Sequence, residues 1–516
     1  MGTKKKIFEL RERKAKIKEM GGVQQSQKQQ KRGKLTARER IDKLFDPGTF
    51  HEIDLFVKHR CNLFGMEQKE IPADAVVTGA GKVNERTVYV AVEDYTSAAG
   101  TFGEMHGKKF CKMLDMAYTS GVPFLQIIDS GGARLQEGQD SSEAYAQLFR
   151  RHTLYSGVIP QISLLLGTCA GGAAYGPALT DFLIMVEGKG YMYMGGPAFV
   201  KTMLGYAATE EELGGAKVHS ETTGLCDIVV PDDGEAIETV KKLLSFLPPN
   251  NREKPPLVNP DDPIDRKLTG IEDLLPEDSK APFDMYRVID QLIDQKDFLE
   301  LKPNFARNII TGFARLNGQT VGIVANQSLV MGGVIDVNAA NKVARFVRIC
   351  DSYNIPLIQL QDSPAVMIGV DEELKGIILH GSKMLHAYTE ATVPKITVIL
   401  RNSYAGAQLC MCNRPIGADF VFAWPTAEIA LVGPRTAASI LFAKEIAVAP
   451  NPKEVERERI EEYTRVYVNP YVAAERGYID DVIEPEETRI KLIWALEVLK
   501  DKQEERPWKK HGNIRL

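Results

Sequence analysis

The chain repeats itself at long range. "TGAGKVNERTVYVAV" from Thr78 lines up with "TGFARLNGQTVGIVA" from Thr311, 233 positions later. At the same offset "PFLQIIDS" from Pro123 matches "PLIQLQDS" from Pro356. With one residue inserted, "VIPQISLLLGTCAGGA" from Val158 matches "TVPKITVILRNSYAGA" from Thr392. Three segments in one order at nearly one spacing imply two homologous domains, because the offset far exceeds the unit of a solenoid or propeller. Residues 246–263, "FLPPNNREKPPLVNPDDP", are proline-rich and polar and read as a linker. Domain one is therefore expected over residues 1–247 and domain two over 264–516.

Within each half, short apolar runs such as "TVYVAV", "PFLQII" and "QISLLL" are strand-like. Amphipathic stretches such as "MHGKKFCKMLDMAYTSG" and "NKVARFVRICDSYN" separate them. Strand–helix–strand alternation predicts an α/β fold with right-handed crossovers, and strands apolar on both faces predict a sheet covered by helices. Ligands then bind in the loops beyond the strand ends.

Two such loops are glycine-rich and occupy equivalent points of the repeat. "LLLGTCAGGAAYGPA" carries Gly171 and Gly172, and "VILRNSYAGAQLCM" carries Ala405 and Gly406. A strand that turns into a helix through small residues presents successive backbone N–H groups, which stabilise a negatively charged oxygen. Small residues there also allow close strand–helix packing. Recurrence in both halves favours paired oxyanion holes. A third loop, "IIDSGGARLQEG", holds Gly131, Gly132 and Ala133. It suits either an anion at a helix start, with Arg134 adding charge, or a turn whose Arg–Glu pairing is structural. Its partner "LQDSPAVMIG" lacks the glycines, so the halves are expected to do different jobs. Asp129 and Asp362 match across the repeat at strand ends, where capping is the expected role.

Composition excludes other classes. The chain has 516 residues, 44% of them hydrophobic, and a net charge of −5, which suits a soluble protein and not a nucleic-acid binder. Its first 43 residues nevertheless carry about ten more basic than acidic side chains. Seven scattered cysteines without a CxxC pair point to a reduced, cytoplasmic setting and no metal site, and the eight histidines are dispersed. The uncharged stretch 157–180 contains two prolines and several glycines, so a buried strand and turn are expected there in place of a membrane helix. No GxxxxGK[ST], GxSxG or HExxH motif occurs. With no evident side-chain acid–base pair, such an enzyme needs a substrate or cofactor that brings its own base.

The motifs "GKLTARERIDKLFDPGTF" (33–50), "DSGGARLQEG", "CAGGAAYGPAL", "EELGGAKVHS" (211–220), "GFARLNGQTVGIVANQ" (312–327), "HGSKMLHAYTEATVPKITVI", "WPTAEIALVG" (424–433) and "RPWKKHGNI" together resemble the carboxyltransferase (β) subunits of biotin-dependent acyl-CoA carboxylases, the propionyl-CoA carboxylase type above all. The resemblance covers nearly the whole chain and implies two crotonase-like β–β–α superhelix domains. It implies that carboxybiotin releases CO₂ in the pocket, that its ureido nitrogen takes the α-proton of an acyl-CoA, and that the resulting enolate attacks CO₂. Gly171 and Gly172 would hold the thioester enolate oxygen, and Ala405 and Gly406 the biotin ureido oxygen. Ala365, Gly369 and Tyr404 would line the biotin side, Gly131, Gly132, Ala133 and Leu409 the acyl pocket, and Lys31, Arg32 and Lys34 would meet CoA phosphates. The site would join domain one of one subunit to domain two of another, in a hexamer built as a trimer of dimers. With no AMKM-type lysine site or ATP-grasp domain here, biotin carboxylase and biotin carboxyl carrier chains would be separate partners.

Departures from the family pattern sit in loops: "RNSYAGAQL" where "RKAYGGAYD" is usual, "DSPAVMIG" for "DVPGFLPG", and "LGY" (204–206) for "TGE". They imply an acyl group other than propionyl. If the backbone at Ala405 needs positive φ, alanine costs about 1 kcal/mol there. A decarboxylase acting on methylmalonyl- or glutaconyl-CoA, and a catalytically silent paralogue, are the competing expectations.

Overall fold

The computed structural model describes residues 2–278 and 281–515, and the chain divides into two compact units, 1–253 and 254–516. Unit one builds an eight-stranded sheet from β1 (His51–Ile53), β2 (Val76–Val83), β3 (Arg86–Glu93), β4 (Phe124–Ser130), β5 (Gln161–Ala170), β6 (Phe182–Val186), β7 (Tyr191–Tyr193) and β8 (Ile228–Val230). Their order is β1-β2-β3-β4-β5-β6-β8, with β7 pairing β5. Unit two uses β9 (Leu299–Leu301), β10 (Ile309–Leu316), β11 (Gln319–Asn326), β12 (Leu357–Ser363), β13 (Lys395–Tyr404), β14 (Phe420–Ala423), β15 (Glu428–Ala430) and β16 (Asp481–Val482). Its order is β9-β10-β11-β12-β13-β14-β16, with β15 pairing β13. Strand for strand the two topologies are the same, so the sequence repeat is a repeat of fold.

Each sheet starts with an antiparallel hairpin and continues parallel. The β2–β3 hairpin turns on Asn84 and Glu85 (φ 48° and 64°), the β10–β11 hairpin on Asn317 and Gly318 (φ 50° and 75°). Two-residue loops with both residues left-handed match the twist of the flanking strands. Strands β4, β12 and β6 are buried at every position, as parallel strands covered by helices must be. Helices Glu104–Ser120 and Gln139–Tyr155 pack in unit one, and Val337–Ser352 against Ile377–Glu390 in unit two.

The uncharged run 157–180 folds as β5 and then a tight turn, in line with the expectation. Among the described residues no helix is long and apolar enough to cross a membrane.

One irregularity recurs. Between β4 and β5 the pairing steps from Ile128↔Leu165 to Ser130↔Cys169, and between β12 and β13 from Gln361↔Ile399 to Ser363↔Ser403. In both units the second strand spends two more residues than the first, centred on Gly167 and on Arg401. Bulges of this kind bend a strand and re-aim the residues beyond it. Here those residues are the small-residue turns at the ends of β5 and β13.

Candidate active site

In unit one, β5 ends at Ala170 in extended geometry and the chain enters a single 3₁₀ turn, Gly171–Ala174, then the short helix Tyr175–Ala178. Gly171 has φ +64°, which places it where a side chain is strained. A Cβ there would meet a single atom, Met194 O, at 3.8 Å, and one at Gly172 would meet the Tyr145 ring at 3.6 Å. The turn is therefore open beside Gly171 and backed by the Tyr145 ring beside Gly172.

The loop after β4 closes on the same place. Gly132 (φ +92°) approaches so near that a Cβ would stand 2.9 Å from Ala170 O. Ala133 forms an isolated bridge with Phe102. Gly132 thus brings the Gly131–Ala133 loop against Ala170, the residue before Gly171 and Gly172. Arg134 is buried and fully engaged by Asp74 (2.6 Å), Glu137 (2.7 Å) and Thr101 O (2.7 Å). Of its two readings, the structural one holds.

Unit two repeats the arrangement with different side chains. β13 runs straight into the helix Ala405–Cys410, and Ala405 itself sits at φ +48°, so the left-handed position is real and alanine occupies it. A Cβ on Gly406 would lie 3.2 Å from Val366 Cγ2, and Val366 bridges Ile335 as Ala133 bridges Phe102. Ala365 and Gly406 are neighbours through Val366. Gly369 (φ +127°) starts the exposed helix Val370–Lys375 with open space around it. Tyr404 is buried, its hydroxyl on the Glu428 carboxylate, and burial together with that carboxylate pushes its pKa up. Leu409 keeps 39% of its surface exposed. A cavity of about 1000 Å³ opens beside Tyr404, lined by Ser328, Pro364, Asn402, Arg435 and Arg457 among others.

Asp129 and Asp362 do more than cap. Both are fully buried at the bulges, where an unpaired carboxylate would be very costly. Asp362 is held within its own sheet by Arg401 (2.9 and 3.2 Å) and by the Asn402 backbone and side chain (3.1 and 2.7 Å). In unit one the residue equivalent to Arg401 is Gly167, and the cations come from the N-terminal arm instead. Lys34 reaches Asp129 at 2.6 Å, Arg40 at 3.2 Å, and the Gln29 amide at 2.7 Å. Arg40 also grips Asp233 at 2.8 Å. Of the three basic residues expected at phosphates, Lys31 and Arg32 stand exposed at the end of helix Gly22–Lys31, whereas Lys34 points inward.

Two further features have no counterpart among the sequence expectations. Glu93 ends β3 and accepts the Asp129 N–H at 3.0 Å, with His106 3.5 Å away. Burial raises Glu93 to about 8 and pushes His106 well below its usual value, so both are neutral near pH 7. At the same place in the repeat Asn326 accepts the Asp362 N–H at 3.2 Å. Buried Lys109 donates to Ala73 O and Val76 O, and buried Lys342 to Lys302 O, Phe305 O and Ile309 O. Lys109 and Lys342 stand 233 positions apart, and that offset was the available signal. Among the described residues no three His, Cys, Asp or Glu side chains converge as a metal would require.

Comparison with known proteins places this architecture. The carboxyl transferase domain family profile matches residues 28–514. The chain is 47% identical over 512 residues to the methylmalonyl-CoA decarboxylase subunit alpha of Propionigenium modestum, covering 99% of each. It is 46% identical over 512 residues to the propionyl-CoA carboxylase beta chain of Roseobacter denitrificans, again covering 99% of each. The solved transcarboxylase 12S, a hexamer with methylmalonyl-coenzyme A bound, superposes with a TM-score of 0.98 at 48% identity, over 100% of this chain and 99% of that one. Two crotonase-like domains are the shared fold.

Proposed function

The chain belongs to the carboxyl transferase domain family, and from that membership we propose that it moves a carboxyl group between carboxybiotin and the α-carbon of an acyl-CoA through a thioester enolate. The supporting observation is the duplicated strand–turn–helix, with a left-handed residue, Gly171 or Ala405, at the first position of each turn. Two turns of this kind suit a reaction in which two oxygens gain charge. Gly171 and Gly172 hold the enolate oxygen of the thioester, and Ala405 and Gly406 hold the ureido oxygen of biotin. Carboxybiotin, delivered by a separate carrier chain and charged by a biotin carboxylase, supplies both the carboxyl group and the base.

The protein's own residues orient and exclude. Gly131, Gly132 and Ala133 shape the acyl side against Ala170, with Leu409 contributing an apolar wall suited to a bulkier acyl group than propionyl. Ala365, Gly369 and Tyr404 border the biotin side, Tyr404 fixed by Glu428. Lys31 and Arg32 meet the CoA phosphates. Domain one of one subunit faces domain two of another, in a hexamer like that of the 12S relative.

A decarboxylase role on a methylmalonyl-type thioester is the second reading, favoured by the 47% identity to a decarboxylase subunit. The deciding experiment is biotin-dependent release of CO₂ from a panel of malonyl-type CoA thioesters by the purified oligomer. Turnover with one member names the acyl group. No turnover from an intact oligomer overturns the assignment in favour of a scaffold. Direction is set by which partner reconstitutes activity, an ATP-dependent biotin carboxylase or a sodium-pumping membrane subunit.

A further inference from the structure

The two buried aspartates are held differently, and the difference bears on the acyl side. Asp362 finds its cation one strand away, in Arg401, so unit two pins its bulge from within. Unit one has Gly167 there, and the vacated space is filled: a Cβ on Gly167 would stand 1.9 Å from Asp129 Oδ1 and 2.6 Å from Lys34 Nζ. Lys34 is 10% exposed, caught between Asp129 and the Tyr95 ring, 5.2 Å from its centroid. Arg40 reaches past Asp129 to Leu166 O, on the bulge itself. From Asp129 three residues lead to Gly132, which abuts Ala170, the residue before the turn. The same arm carries Lys31 and Arg32 to the surface, three and two residues upstream of Lys34.

We propose that Lys34 is a positioning residue: its ammonium on Asp129 ties the basic arm to the bulge that aims the Gly171–Gly172 turn, so that anchoring the phosphates of the thioester on the arm firms the turn that receives its oxygen. This rests on the acyl-CoA reading of the site. Lys34 itself touches no substrate. Its effect belongs to the rate of the bound complex, whereas Lys31 and Arg32, which hold the phosphates, act on affinity as well as on that rate.

The test compares kcat and KM for the full CoA thioester with those for the pantetheine thioester, which lacks the phosphates. Lys34→Met lowers kcat on the CoA thioester about tenfold while KM changes less than about twofold, and the kcat gap between the two thioesters closes; Lys34→Arg restores most of the rate. Lys31→Ala, which loosens the phosphate anchor itself, raises KM and also lowers kcat on the CoA thioester toward that on the pantetheine thioester. An unchanged kcat in Lys34→Met, or a rise in KM alone, overturns the proposal, the latter by making Lys34 a phosphate ligand. Should Lys34→Met fail to assemble, hydrogen exchange on the wild-type oligomer decides. Adding free coenzyme A slows exchange across residues 169–174 if the arm firms the turn, and leaves it unchanged if the proposal is wrong. Failure of the acyl-CoA reading is a separate result, since the wild type would then turn over neither thioester.

Discussion

At the scale of single residues the two turns form a natural experiment. Gly171 and Ala405 occupy one backbone position in two copies of one fold, at φ +64° and +48°. An L-residue in the left-handed region is strained by roughly 1–2 kcal/mol, and part of that returns through the smaller unfolded-state entropy of alanine. Ala405→Gly should therefore stabilise unit two by about 0.5–1 kcal/mol in denaturant unfolding, and Gly171→Ala should destabilise unit one by a similar amount. Gly172 is different. Its backbone needs no positive φ and the Tyr145 ring leaves a Cβ at ordinary contact distance, so Gly172→Val leaves the backbone unstrained, and an intact oligomer is the control for reading its turnover. Its branched side chain then stands where the oxygen must sit, and turnover should fall by at least ~10²-fold, the loss typical of one oxyanion donor; undiminished turnover would remove Gly172 from the site. Alanine at the turn was visible in the sequence, but its strain was legible only as a condition, because a one-letter code carries no φ. Arg134 shows a second limit. The motif shows a basic residue after two glycines, and only burial beside Asp74 and Glu137 reveals that its charge is already committed.

Among elements, the informative junction is where β3 meets β4. Glu93 stands where the other sheet has Asn326, and each accepts the backbone N–H of its neighbouring aspartate. A buried acid doing the work of an amide is best neutral, and burial does hold its proton, raising the carboxyl from 4.5 to about 8. Between those values the native protein keeps a proton that the unfolded chain has released. Stability falls as pH rises through that window and levels off above it. Glu93→Gln removes this dependence, so its unfolding free energy should match wild type near pH 4.5 and exceed it by on the order of 4 kcal/mol by pH 8. A constant difference across that range would show Glu93 ionised throughout. The repeat in "TVYVAV" and "TVGIVA" made β3 and β11 legible, since apolar strand patterns survive divergence. The Glu–Asn exchange at their ends was not legible, because its meaning appears only when the two sheets are overlaid. The basic arm was likewise legible by charge alone, as a surface feature. Lys34 belongs inside because a carboxylate 95 residues away claims it.

For the molecule as a whole, the proposed site, with one turn from each of two subunits, would make assembly a condition of activity. The 57.2 kDa chain should behave in analytical ultracentrifugation as a six-fold particle, and specific activity should fall in step when dilution splits the dimers; a fully active monomer would refute a shared site. The two halves also close at different reaches along the chain. The Arg401–Asp362 clasp joins residues 39 apart, whereas Lys34 to Asp129 spans 95 and Arg40 to Asp233 spans 193. Closing a longer loop costs more entropy, by about 0.6 kcal/mol per doubling. Unit two therefore secures its bulge at the smaller entropic cost. Unit one matches its buried aspartate only through the N-terminal arm, so of the two bulges this one should lose its hydrogen-exchange protection first when the arm is displaced.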